Sequence, residues 1–211
     1  MQDGPMARAL LVVDVQNDFT EGGALGVTGG DAVAERISVF LGQHAGEYDL
    51  IVGSRDWHHG DDDNGGHFAG AEGPDFVDTW PVHCVQDTPG ADYHSAFDTA
   101  PVDVHVYKGQ GAPAYSAFQG RTADGVTLGE VFEEHDVREV DIVGIATDHC
   151  VRASALDALE GGAAVTVYED LVVGVDPARS AAALDEVRAA GGLVDHSDTD
   201  EGLHRPGGAQ L

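Results

Sequence analysis

Cys150 is one of only two cysteines in 211 residues. It stands in GIATDHCVRASALDAL (144–159), where an apolar strand breaks at Gly144 and a helical pattern begins. A thiol in the first turn of a helix faces free backbone N–H groups and the positive end of the helix dipole, and both favour thiolate. Thr147, Asp148 and His149 offer capping side chains just ahead of it. Lys108 is the sole lysine among ten basic residues, the other nine being arginine. An amine stabilises a nearby thiolate, and a carboxylate such as Asp14 can accept the thiol proton and later donate it to a leaving group. A second set, Asp56, His58, His67 and His83, has the chemistry of a metal site. Asp56 and His58 are two apart, so on extended chain both side chains point the same way. His67 and His83 could fold back to join them, and three imidazoles with a carboxylate suit Zn, Fe(II) or Mn(II). Taken alone, histidines in an acidic chain with eleven of them read first as solvated loop residues.

These residues need a scaffold, and the chain supplies an alternating one. ARALLVVDV (7–15) is a continuous apolar run of strand length, as expected of a buried parallel strand. A helical pattern covers 31–45 with Asp31 as N-cap, and DLIVGS (49–54) is a second strand. Residues 55–101 are long, polar and only weakly periodic, a kind of segment that is usually functional inside a compact domain. Strands follow at 102–108, 139–146 and 163–170, with an edge strand at 192–196. Helices are expected at 127–135, behind a Thr-x-x-Glu capping box, and from Cys150 to Gly161-Gly162. A further helix spans 176–190, with Asp176 as N-cap and Pro177 at the first helical position. The alternation predicts a single-domain, three-layer α/β fold over 6–198, with a central, mostly parallel sheet of about five or six strands. Ligands in such sheets bind beyond the carboxyl ends of the strands. Asp14, Asp56 with His58, Lys108 and Cys150 follow the first four strands in turn, and so fall on one rim.

The formal net charge of −28 makes nucleic acid and anionic membranes poor partners. There is no long apolar run and no charged-then-apolar leader, and two cysteines make no disulfide framework, so a cytoplasmic protein is expected. Residues 1–5 and 199–211 read as a flexible lead-in and tail.

LLVVDVQNDFTEGGAL, RDWH, GGHF, TWPVHCVQDTPGADYH, VYKG, AYSAF and VGIATDHCVRASALDA occur in order across nearly the whole chain. Together they resemble the nicotinamidases, or pyrazinamidases, of the isochorismatase-like cysteine hydrolase superfamily. The Asp, Lys and Cys positions mark the superfamily; the Asp-x-His, His-Phe and Trp-Pro-x-His-Cys set is narrower. The resemblance implies a catalytic triad of Asp14, Lys108 and Cys150. It also implies a cis peptide at Ile145–Ala146 and an oxyanion hole from the N–H groups of Ala146 and Cys150. One divalent ion (Zn, Fe or Mn) on Asp56, His58, His67 and His83 would orient the pyridine ring of nicotinamide. Phe19, Trp80, Tyr115, Ile145 and His149 would line the substrate pocket. Pyrazinamide would also be accepted, and NAD salvage would be the setting.

The stretch HHGDDDNGGH (58–67) is longer than the spacer typical of close bacterial relatives. It sets His59 beside His58 as a competing ligand, while Asp61–Asp63 read as a solvated run. An alternative keeps the triad and changes the substrate to an N-carbamoyl or ureido amide without metal. A non-catalytic ligand-binding protein is a third reading, which retention of the only lysine at position 108 argues against. A surface this negative would also repel an anionic product such as nicotinate more than a neutral amide. The sequence leaves homo-oligomerisation open.

Overall fold

The centre of the molecule is the apolar run near its start. In the computed structural model, which describes residues 6–198, Ala7–Val13 forms strand β1, and Ala9 to Val13 are all fully buried. A strand covered on both faces must be apolar where it is buried, and Ala9 to Val13 are apolar at every position. Ala9, Leu11 and Val13 point to one face and Leu10 and Val12 to the other. The remaining strands are β2 (Leu50–Asp56), β3 (Val104–Lys108), β4 (Val137–Ile145), β5 (Ala164–Val173) and β6 (Leu193–Asp195). They form one sheet in the order β3-β2-β1-β4-β5-β6, and every pairing is parallel. The expected α/β fold and strand count therefore hold. The expected lead-in 1–5 and tail 199–211 lie outside the described residues.

Helix α1 (Gly30–His44) lays Val33, Ile37, Phe40 and Leu41 on one face of the sheet. The other face is covered by α2 (Leu128–Glu134), α3 (Arg152–Glu160) and α4 (Pro177–Ala189), through residues such as Leu128, Phe132, Ala155 and Val187. The capping box of α2 is present in both directions between Thr127 and Glu130, and Asp176 caps α4 through the Arg179 N–H. Asp31 does not cap α1. The N-cap is Gly29, at φ 94°, two residues earlier, and the Glu21 carboxylate accepts the N–H groups of Gly29 and Asp31 from outside. Residues 57–103 contain one short 3-10 turn, Pro89–Ala91, and isolated bridges such as His58 with Val85 and Phe68 with Trp80. Among the described residues no helix is long and apolar enough to cross a membrane, and both cysteines are free.

The sheet reverses its direction of winding between β1 and β4. That point is where an open α/β sheet parts its loops and leaves a crevice. Asp14 leaves β1 and Cys150 follows β4, so both border it.

Candidate active site

Lys108, the last residue of β3, is 1% exposed, which for an amine requires charged partners. Its Nζ lies 2.9 Å from Asp14 Oδ2, contacts Asp56 Oδ1, and is 3.5 Å from Cys150 Sγ. Burial opposes its charge, but the two carboxylates outweigh that and hold the amine well above its ordinary pKa. Asp14 takes a left-handed backbone (φ 47°) at the end of β1, and its Oδ1 accepts the Ser54 hydroxyl at 2.7 Å. Burial pushes its pKa up, against the pull of Lys108 and Ser54.

Cys150 sits in a wide π-type turn, Thr147–Val151, that precedes α3, following the cis peptide between Ile145 and Ala146. Burial pushes its thiol well above the ordinary range, and Lys108 only partly offsets this. Burial thus opposes the thiolate that the helix end and the amine favour. Asp148 is no cap for this turn either. Its buried carboxylate accepts the N–H groups of Val175 and Asp176, tying the nucleophile loop to the segment before α4.

The three histidines 58, 67 and 83 come together from far-apart points of the long loop, each buried, with ring nitrogens within 4.8 Å of one another. His58 Nδ1 donates to the Gly109 carbonyl and His83 Nδ1 to the Pro81 carbonyl, both at 2.7 Å, which leaves each Nε2 lone pair facing the group. Such carbonyl partners are the usual way a protein fixes a metal-binding imidazole. His58 Nε2 and His67 Nδ1 are buried without a partner. Burial, then the neighbouring His58 and His83, lower His67 to about 4, so its ring is neutral near pH 7. Asp56 Oδ2 completes the group, 3.6 Å from His58 Nε2 and 3.7 Å from His83 Nε2. Convergent buried ring nitrogens, two of them without a hydrogen-bond partner, beside a carboxylate fit a divalent cation. His59 turns away to Asp62 at 3.1 Å, and Asp61–Asp63 are exposed, so the added spacer residues stay outside the cluster.

Both groups open on one cavity of about 410 Å³. Its wall includes Phe19, Trp80, Tyr115, Ala146, His149 and Cys150, with Asp56, His67 and His83 beside them. Trp80 Nε1 donates to the Tyr115 hydroxyl at 3.0 Å, and the Tyr115 and His149 rings stack with centroids 6.2 Å apart. This is an aromatic slot for a flat ring between a thiol and an imidazole cluster. Ile145, expected on the wall, is instead fully buried in the apolar core on the α1 side and does not line the cavity. Asp14, Lys108 and His58 are sealed behind the wall rather than on it.

Several residues that shape the site were not foreseen from the sequence. Gln16, fully buried, grips the Asp56 backbone from both sides: its Oε1 accepts Asp56 N–H and its Nε2 donates to Asp56 carbonyl, at 2.8 and 2.9 Å. Gly109 (φ 80°) seats His58, since a Cβ there would lie 2.4 Å from the ring. Ser54 holds Asp14. Phe76, Val175 and Arg179 form part of the rim. Gln16 and Gly109 lie within quoted motifs, so the motif itself was the available signal; for the rim residues there was none.

Over residues 8–198 the chain matches the family described as the isochorismatase domain. It is 48% identical over 183 residues to the nicotinamidase/pyrazinamidase of Mycobacterium tuberculosis, covering 87% of this chain and 95% of that one. It is 36% identical to the nicotinamidase of Escherichia coli, covering 89% and 93%. Among solved structures, the pyrazinamidase of Pyrococcus horikoshii in complex with zinc superposes with a TM-score of 0.75 at 36% identity, over 90% of this chain and 99% of that one. PnC1 from L. infantum in complex with nicotinate gives 0.78 at 32%, over 93% and 96%. Sheet, site and relatives agree: the chain belongs to the isochorismatase domain family, in its nicotinamidase/pyrazinamidase group.

Proposed function

We propose that this protein is a nicotinamidase, hydrolysing nicotinamide to nicotinate and ammonia and accepting pyrazinamide as well. The observation that carries the reading is one buried amine, Lys108, within 2.9 Å of Asp14 and 3.5 Å of Cys150 Sγ, behind an aromatic slot with three convergent imidazoles. The carboxamide carbon lies against Cys150 and the ring between Trp80, Tyr115 and Phe19. As Sγ attacks, Asp14 takes the thiol proton. Lys108 holds Asp14 in place and offsets the negative charge that the pair shares. The N–H groups of Ala146 and Cys150 receive the developing oxyanion. Asp14 returns the proton to nitrogen, the C–N bond breaks and ammonia leaves. Water then attacks the thioester, with Asp14 as base, giving the carboxylate and the free thiol.

His58, His67, His83 and Asp56 would hold one divalent ion, whose chemistry when bound is to accept the ring nitrogen as a ligand and so orient the substrate. Asp56 also contacts Lys108, and Gln16 fixes its backbone, so the orienting group and the triad share one rigid support. Two free cysteines suit a reducing compartment, and we place the enzyme in the cytoplasm.

The test is ammonia release from nicotinamide and pyrazinamide before and after chelation, with Zn, Fe(II) or Mn(II) added back. Turnover lost on chelation and restored by metal is the expected result. No turnover with any of the three ions, from protein whose Cys150 still alkylates, would overturn the assignment in favour of a ureido amide.

A further inference from the structure

Of the residues that wall the cavity, two carry full formal charge, Asp56 and Arg179. Asp56 is committed to Lys108 and the imidazoles. Arg179 is not committed in the same way. It stands in the first turn of α4, where the helix dipole disfavours a cation, so helix stability gives no reason for it. Its one side-chain partner is Asp148, 3.5 Å from Nε, a carboxylate already receiving the N–H groups of Val175 and Asp176. The Arg179 side chain is 55% exposed and its two Nη groups bond to no described residue. Arg152, the other arginine near this loop, is taken by Glu186 and does not reach the cavity. Arg179 therefore presents a fork of free donors at the open edge of the slot, beside His149, in a protein whose overall field is strongly negative. A planar guanidinium of this kind is suited to a carboxylate.

We propose that Arg179 is the specificity-determining residue by which the cavity recognises anionic pyridine-type carboxylates, the product of the reaction among them, against the repulsion of the rest of the surface. It rests on the nicotinamidase reading for the identity of that product. The consequence is a product that is retained at the mouth more than net charge alone allows.

The test uses zinc-loaded enzyme and two readouts: the ratio of the nicotinate inhibition constant to the nicotinamide KM, and nicotinate affinity by calorimetry. Arg179→Ala and Arg179→Gln should raise the ratio and weaken nicotinate binding by about two- to fivefold at low salt, the size of an exposed ion pair. Arg179→Lys should keep most of the affinity, and the gap should close near 1 M salt, where the Debye length is roughly 3 Å. An unchanged ratio, or both constants rising together, would overturn the proposal and leave Arg179 as a strut for Asp148. If wild-type enzyme turns over no nicotinamide, the assigned function falls. Calorimetry still decides the Arg179 inference, because nicotinate binding that is absent or indifferent to the substitution refutes it.

Discussion

Replacing Ser54 by alanine tests whether Asp14 is the proton carrier. The hydroxyl donates to Asp14 Oδ1 at 2.7 Å, and both residues are 0% exposed, so no water can take its place without rearrangement. A hydrogen bond to a buried charged group contributes about 1.5–3 kcal/mol. At roughly 1.4 kcal/mol per pKa unit, its loss should raise the Asp14 pKa by one unit or more, to about two. The direction follows from chemistry: the donor favours the carboxylate, so its removal favours the acid. Burial already pushes Asp14 up, so the change adds to an existing trend. The acid limb of kcat/KM against pH, which reports free enzyme, should therefore move to higher pH by about one unit. Ser54→Thr, which keeps the hydroxyl, should move it back. Tm should fall by roughly 3–8 °C in the alanine variant. A lowered Tm with an unmoved acid limb would refute the reasoning, because Ser54 would then support the fold and Asp14 would not be the titrating base.

Lys108→Met leaves Asp14 and Asp56 facing each other without a cation, and should cost about 3–5 kcal/mol in urea unfolding; an unchanged midpoint would show that the carboxylates are already protonated. Gly109→Ala puts a Cβ 2.4 Å from the His58 ring at a φ of 80°, so zinc affinity by chelator competition should drop about 10- to 100-fold, and unaltered affinity would remove His58 from the ligand set. Glu21, lowered from 4.5 to about 2 by the N–H groups of Asp31 and Gly29, stabilises the start of α1 above pH 4.5 and loses that effect as pH falls towards 2. Glu21→Gln should flatten the dependence of Tm on pH in that window, and an equal slope would contradict the cap. Iodoacetamide should label Cys150, on the cavity wall, well before Cys84, which is 0% exposed and off that wall; peptide mapping of the labelled sites would decide, and faster labelling of Cys84 would put the reactive thiol elsewhere.

Most of the scaffold was legible because its signals are local. The unbroken apolar run of β1, the Thr127 capping box and the Asp176-Pro177 helix start each depend on a few neighbouring residues. The start of α1 was misread for the opposite reason: its cap is Glu21, ten residues from Asp31 in a loop whose path no periodicity encodes. Asp14, Lys108 and Cys150 could be gathered on one rim because parallel strands deliver their carboxyl ends to one side. Ile145 shows the limit of that logic. A place at the carboxyl end of a strand puts a residue near the rim but not always on the wall: Ile145, the last residue of β4, packs into the core, while Ala146 of the same apolar cluster borders the cavity. The burial that opposes a Cys150 thiolate was also beyond the sequence, since desolvation depends on how tightly the site is closed.

The position of β1 has a consequence for how the molecule is made. Among the six described strands it comes first in chain order and lies in the middle of the sheet, with Ala9 paired to Leu50 on one side and to Val140 on the other. Until Val140 emerges from the ribosome, one edge of a strand that is apolar from Ala9 to Val13 has no mate, the situation in which nascent chains aggregate or recruit chaperones. Closing that edge is a long-range, late event in folding. It is also the event that brings the Cys150 loop beside Asp14. Partly folded chains should accordingly be inactive outright, and recovery of turnover on refolding should track docking of β4 rather than the earlier gain of helix.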